Sequence, residues 1–285
     1  MEYVAAKTMP EVLRLLKLWK GRAKLIAGGT NVIPDMRAKL LKPAALIDIS
    51  GLRSLSYIKE AKGRIRIGGL TTIAELASST TLQKYAPILA QAARQLGNPL
   101  VRNRATIAGN LAHASPAADT AVPLLVLEAM VVTQRSDGKG RRIPLDQFFL
   151  GPQRTLLRKD EIIKEIFFPK GNSSLQMGYM KLGLRNAMAI SVVSAALLVE
   201  RQEGICRQVR IGLGSVAPKP RRAYETEKIL RGKRISPEII AACCAQVQKE
   251  TNPLTDIRAT AEYRKSMTPV LLKRLIQQTL GVENQ

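Results

Sequence analysis

Thr106-Ile107-Ala108-Gly109-Asn110-Leu111-Ala112-His113-Ala114-Ser115-Pro116-Ala117-Ala118-Asp119 is built mostly from small residues. Such a run either lets backbone pack very closely or leaves a space for something else to fill. Thr106, Asn110, Ser115 and Asp119 spread hydroxyl, amide and carboxylate groups along it. The run closes a longer stretch of weak periodicity, Gly97 to Asp119, punctuated by Gly97, Pro99, Gly109 and Pro116. Irregular segments of that length inside a compact domain are uncommon and usually functional. A carboxylate such as Asp119 is a natural partner for ribose hydroxyls. The same residues also read as a buried structural loop that caps its own backbone, with Asp119 as a helix N-cap.

Upstream, Ala27-Gly28-Gly29-Thr30-Asn31 stands between a strand, Lys24-Leu25-Ile26-Ala27, and a helical turn beginning near Val32. Adjacent glycines let backbone N–H groups approach a phosphate without side-chain interference, and Thr30 and Asn31 add donors. The pattern is neither Gly-x-Gly-x-x-Gly nor a Walker loop. A plain tight turn would look the same. Two small-residue, phosphate-friendly loops about 75 residues apart in one α/β region suit a dinucleotide wrapped between two subdomains, where clefts preferentially form.

Around these loops the chain divides into three parts. In the first, Thr8-x-x-Glu11 reads as a capping box with Pro10 tolerated in the first turn. Val12, Leu13, Leu15, Leu16 and Trp19 form an apolar helical face ending at Gly21, and a strand follows at 45–49. The second part opens with the alternating strand Arg64-Ile65-Arg66-Ile67-Gly68, followed by helices over 73–78 and 82–96 and strands over 130–135 and 161–168. Lys170-Gly171-Asn172-Ser173-Ser174 reads as a linker. Beyond it, strands at 177–182, 190–200 and 206–213 form an antiparallel meander, and helices at 223–230, 237–250 and 269–280 finish the chain. Ser236 and Thr268 are expected to cap the last two, each with proline just inside.

Composition bounds the chemistry. Three cysteines, Cys206, Cys243 and Cys244, cannot supply a four-thiolate cluster, and one histidine, His113, makes no metal centre. Redox chemistry here needs an organic cofactor or a partner. The formal charge of +23 attracts anions. Its densest stretch, Arg201 to Arg234, carries ten basic and three acidic residues interleaved with apolar ones. Aromatics at 4% are too few for nucleic-acid stacking platforms. No apolar run is long enough to span a bilayer, and the start, Met1-Glu2-Tyr3-Val4, lacks a secretory pattern. The expected location is the cytoplasm.

The chain resembles the FAD-binding medium subunit of the xanthine dehydrogenase and aerobic carbon monoxide dehydrogenase group of molybdenum hydroxylases. The likeness rests on 27–31, on Val101 to Asp119, on Arg66-Ile67-Gly68-Gly69-Leu70-Thr71-Thr72, on Gly151-Pro152 with Thr155-Leu156-Leu157, and on Glu161-Ile162-Ile163 running to Pro169. It implies an α+β fold: a two-subdomain α/β FAD-binding domain of the PCMH or vanillyl-alcohol-oxidase type, then a C-terminal domain with a three-stranded antiparallel sheet and a helical bundle. The corresponding boundaries are 1–175, with subdomains at about 1–55 and 56–170, and 176–285.

The resemblance also assigns roles. Leu25, Ile26, Ala27, Gly28, Gly29, Thr30, Asn31 and Val32 would bind the FAD pyrophosphate, and Thr106, Ile107, Ala108, Gly109 and Asn110 would complete that cradle. Asp119 would hold the adenosine side, Leu96 would lie near the flavin ring, and Ile163 would add a backbone contact. Lys181 would bring its ammonium to the ring's N1/C2 edge, stabilising an anionic reduced flavin; a solvated strand lysine is the plainer reading. Ser115 and His113 are further candidate contacts. A molybdenum-cofactor large subunit and a small subunit with 2Fe–2S clusters would be partners, in a dimer of heterotrimers, with NAD+, a quinone or oxygen as acceptor.

Three departures stand out. Ala108 replaces the first of two glycines usual in the family; if the position needs positive φ, alanine costs about 1 kcal/mol or more. Asn31 replaces a residue that is often acidic, and Ala189 one that is often aspartate, which leaves the acceptor open. A stand-alone FAD oxidoreductase, a basic nucleic-acid or anion-binding protein and a flavin-free scaffold are the rival readings.

Overall fold

In the computed structural model, which describes residues 1–281, the three sequence segments build three mixed layers. The last four residues of the expected 176–285 segment lie outside the described residues. The first layer is a parallel sheet in the order β1-β3-β2, from β1 (Glu2–Ala5), β2 (Ala23–Ile26) and β3 (Ala45–Asp48). Helix α1 (Met9–Trp19) buries Val12, Leu13, Leu15 and Leu16 beneath it. Thr8 caps α1 by accepting from the Glu11 N–H, but Glu11 reaches back to the Lys7 N–H and not to Thr8, so the expected reciprocal box is only half made. α2 (Val32–Arg37) is a short helix that buries no residue.

The second layer begins with β4 (Ile58–Ala61) and β5 (Arg64–Gly68), then α3 (Ile73–Ser78), whose Thr72 and Glu75 do form a full capping box. The single helix expected over 82–96 is two, α4 (Thr80–Tyr85) and α5 (Pro87–Gln95). Pro87 has no N–H for a continuing helix and cannot sit in its interior, so it starts a new one. The weakly periodic stretch is likewise not irregular throughout. It holds α6 (Pro99–Arg102) and α7 (Ile107–His113), capped by the side chains of Asn98 and Thr106. Short caps and small residues hide helices this brief from periodicity.

The fully buried α8 (Ala121–Val126), β6 (Met130–Arg135), β7 (Arg142–Pro144), α9 (Leu145–Phe148), a hairpin of β8 (Phe149–Gly151) and β9 (Arg154–Thr155), and β10 (Glu161–Pro169) complete the unit. Its sheet runs β4-β5-β10-β6-β7, antiparallel at each pairing. A register shift between Ile163 and Glu165 breaks the β10–β6 ladder, the kind of bulge found beside functional sites.

The last layer is a meander of β11 (Leu175–Leu182), β12 (Val193–Gln202), β13 (Ile205–Gly214) and the short β14 (Arg221–Arg222), so the expected three-stranded sheet has a fourth strand. Helices α10 (Tyr224–Leu230), α11 (Pro237–Lys249) and α12 (Ala261–Leu280) cover one face. α12 starts eight residues before the expected 269, capped by Thr260, with Pro269 inside it. Thr268 is not a cap; its buried hydroxyl donates to the Arg264 carbonyl one turn back. The other face of the sheet joins the core of the second layer: Tyr179, Ala196 and Leu198 pack in one cluster with α5 and α8. Gly212 permits the approach, because a Cβ there would stand 2.7 Å from the Val122 carbonyl oxygen.

Candidate functional site

A cavity of about 1140 Å³ runs between the first layer, the second and the segment joining β11 to β12. That exceeds the usual few hundred to about 1,000 Å³ of small-molecule pockets, as an elongated ligand would require. Most of the candidate residues line it: Leu25, Ala27, Gly28, Gly29, Thr30, Asn31, Val32, Leu96, Thr106, Ala108, Gly109, Asn110, Ser115, Asp119 and Ile163. Three do not. Ile26 packs beneath Gly29, Ile107 is sealed in the core, and Lys181 is turned into the protein.

The two loops differ in what they offer. No backbone N–H from Gly28 to Val32 meets an acceptor among the described residues. Gly29 holds φ +71°, which places this turn in the left-handed region, and a Cβ on Gly28 would lie 1.7 Å from the Arg104 carbonyl oxygen. The second segment has spent its amides: Ile107 donates to the Thr71 carbonyl at 3.0 Å, Ala108 to Gly69 at 3.1 Å, and Gly109 to the Thr106 hydroxyl at 3.1 Å. Asn110 donates to the Thr106 carbonyl at 2.9 Å. What it presents instead are side-chain donors. Thr106 and Ser115 accept from Gly109 and Ala117 and keep their hydroxyl protons, and Asn110 accepts from Thr120 at 2.6 Å and keeps its NH2. Ala108 is an ordinary helical residue of α7, absent from the positive-φ set, so the anticipated strain at this position does not exist.

Asp119 departs most from expectation. It is buried and caps no helix; Thr120 occupies that position for α8 without a side-chain bond. One carboxylate oxygen accepts from the Tyr179 hydroxyl at 3.0 Å and the Ser191 hydroxyl at 2.6 Å, and the other from the Lys181 ammonium at 2.7 Å. Lys181 also donates to the Gln95 carbonyl, so it is no solvated strand lysine. Burial, reinforced by the Asp119 charge, pushes the Tyr179 phenol far above its usual range and keeps it a donor.

Sequence reasoning missed the cations of the cavity. Lys24, Arg154, Arg158 and Lys159 line it with no carboxylate partner among the described residues. The signal was available in the basic residues flanking Thr155-Leu156-Leu157, but their convergence depends on the β8–β9 hairpin folding over the cleft. Of the acids lining the cavity, Glu161 is paired to Arg141. Burial favours its protonated form, but Arg141, the Thr133 hydroxyl and the Arg158 N–H outweigh that and hold it below the usual carboxylate range. His113 is pushed down, by burial first and by Lys24, against the opposing pull of Asp35. The site therefore collects unpaired donors and positive charge along a long cleft.

The family described as "FAD binding domain in molybdopterin dehydrogenase" matches residues 1–171. The chain belongs to that family. Residues 178–279 match the family described as "CO dehydrogenase flavoprotein C-terminal domain". The carbon monoxide dehydrogenase medium chain of Hydrogenophaga pseudoflava is 33% identical over 275 residues, 96% of this chain and 95% of the relative. The nicotine 6-hydroxylase medium subunit of Paenarthrobacter nicotinovorans is 32% identical, covering 89% and 88%. A solved structure of the Hydrogenophaga pseudoflava enzyme, in a form lacking the Mo-pyranopterin moiety, superimposes with a TM-score of 0.95 over 99% of this chain and 97% of that one, at 33% identity.

Membership makes this chain a flavoprotein component of an oxidoreductase, and the site fits FAD: free N–H groups and unpaired cations suit a diphosphate, and the cavity's volume suits a large ligand. Among the described residues no cluster of three or more metal-ligating side chains exists, and all three cysteines are free. Among the described residues no helix is long and apolar enough to cross a membrane.

Proposed function

We propose that this chain carries electrons within a molybdenum hydroxylase, receiving them from the iron–sulfur clusters of a small subunit that a molybdenum-cofactor large subunit feeds. They leave through FAD to an external acceptor, NAD+, a quinone or oxygen. The assembly is a dimer of heterotrimers in the cytoplasm. The observation that carries this reading is the row of unsatisfied N–H groups from Gly28 to Val32, which opens onto the long basic cavity. FAD, when bound, supplies the redox chemistry, and the protein supplies binding, orientation and electrostatics.

The residues divide that work. Backbone N–H groups of 28–32 bind the diphosphate, assisted by the hydroxyls of Thr106 and Ser115 and the amide of Asn110. Leu96 and Ile163 bound the cleft with apolar surface and backbone. Lys181 acts through Asp119: the neutralised pair forms a polar wall without a bare charge, and the ammonium does not stand free toward the flavin. Residues 1–175 form the FAD-binding domain, in subdomains of about 1–55 and 56–170, and 176–285 forms the domain that covers the flavin.

The test is a visible spectrum of the purified chain before and after incubation with FAD, with the bound cofactor released and identified. Bands near the usual ~370 and ~450 nm with FAD released, not FMN, support the reading. Failure to take up FAD, alone and in the presence of the partner subunits, overturns it.

A further inference from the structure

On the far side of the C-terminal sheet from α11 and α12, a second cavity of about 400 Å³ opens at the surface. It shares no lining residue with the long cleft. Four guanidinium groups converge on it, from Arg207 and Arg210 on β13, Arg222 on β14 and Arg231 just beyond α10, against two lining carboxylates, Glu128 and Glu200. The inner pair is already organised. Arg210 donates to the Val126 carbonyl that ends α8 and to Glu128 at 2.7 Å, and Arg222 is held by Glu227 at 2.6 Å and reaches Glu128 at 3.3 Å. Glu128 is thus shared between two arginines, while Glu200 accepts from the Ser174 hydroxyl. Arg207 and Arg231 have no side-chain partner among the described residues.

Four arginines face two lining carboxylates, although Arg222, against its burial, is raised above its ordinary range by Glu227. The guanidinium of Arg210 is pushed below its ordinary range, first by burial and further by Arg222 and Arg231, although Glu128 and Glu227 oppose the shift. At the floor Arg210 and Arg222 are matched by Glu128 and Glu227, whereas the exposed forks of Arg207 and Arg231 remain open at the mouth. Guanidinium forks match the geometry of phosphate oxygens bidentately. The volume lies within the range of small-molecule pockets, and a concave site suits a small anion better than a flat partner surface does.

We propose that this arginine pocket binds a small phosphoryl-bearing anion, with Arg207 and Arg231 closing on the phosphoryl oxygens and Arg210 supplying charge at the base. The site is separate from the FAD cleft, so occupancy of one does not require the other.

The experiment is titration calorimetry of inorganic phosphate and pyrophosphate into the full chain after saturation with FAD, so that the phosphate-friendly loops of the cleft are filled. Expected is one site per chain, weakened about tenfold or more in the Arg207→Gln/Arg231→Gln double variant, the scale of losing one charge-assisted hydrogen bond or more. A control double variant, Lys17→Gln/Lys59→Gln, should change affinity less than about twofold. Three results overturn the proposal: no saturable binding, equal weakening in the control, or partner-subunit association that falls in R207Q/R231Q while phosphate neither binds nor competes. The last would assign the pocket to an acidic segment of a partner.

Discussion

The ammonium of Lys181, on β11, stands 2.7 Å from a carboxylate oxygen of Asp119, at the end of the small-residue run, with both side chains nearly sealed from solvent at 6% and 7% exposure. The pair joins the C-terminal sheet to the wall of the large cavity. Breaking a buried pair from one side strands a charge and costs about 3–5 kcal/mol, whereas removing both partners can be close to neutral. Lys181→Met should therefore destabilise the apo chain by about 3 kcal/mol and weaken FAD retention. Lys181→Met/Asp119→Leu should recover only part of that stability, because the buried Tyr179 and Ser191 hydroxyls lose their acceptor, and should not restore the cofactor. Urea unfolding and flavin absorbance on the four corners of the cycle separate the two effects; additive losses would contradict a coupled pair.

Gly28 is where the first loop touches the second. A Cβ at this position would overlap the Arg104 carbonyl oxygen at 1.7 Å, and that neighbour is backbone, which cannot swing aside. Gly28→Ala should cost about 1–3 kcal/mol and displace the N–H row, with FAD affinity falling more than about tenfold. Gly51→Ala, where a Cβ meets nothing within 4 Å, is the control. Melting curves and FAD titrations that fail to distinguish the two variants would remove the close approach from the explanation.

Ala108 looked in sequence like a lesion in a glycine pair. Because it is helical, with ordinary φ, the change Ala108→Gly should lower stability by roughly 0.5–1 kcal/mol and leave FAD affinity unchanged or slightly worse. A tighter-binding A108G variant, read by the same titration, would mean that the alanine side chain itself obstructs the cofactor.

His113 sets a pH dependence. Its folded-state value is depressed, so as pH falls below the ordinary 6.5 the unfolded chain takes up a proton that the native chain does not. By linkage, stability then falls with decreasing pH until the folded group also protonates. Glu161, depressed below 4.5, adds a separate loss only in the acid range, as pH falls through its folded value. His113→Gln should flatten the stability profile just below pH 6.5 and leave the acid limb intact, as checked by denaturant midpoints at stepped pH.

Much of the layer plan could be read along the chain because it follows from local patterning. Alternation in Arg64–Gly68, the apolar stripe of α1 and the polar turns between β11, β12 and β13 each express burial on one face. Elements whose signal is a cap or a single proline were missed or misplaced: the break at Pro87, the helices at 99–102 and 107–113, and the true start of α12 at Thr260. β1 and β4 escaped for a different reason, since each is short and mostly exposed and gains its order from the neighbouring strand.

By itself the sequence determined the family and the small numbers of cysteine and histidine, because motif runs and residue counts are local facts. Only the tertiary structure decided which donors remain available. Among the described residues the amides of 107–110 are consumed by Thr71, Gly69 and Thr106, those of 28–32 stay free, and the carboxylate of Asp119 accepts from Tyr179, Ser191 and Lys181. A hydrogen-bonding group has finite valence, and whether it is spent inside the protein depends on partners that can be tens of residues away.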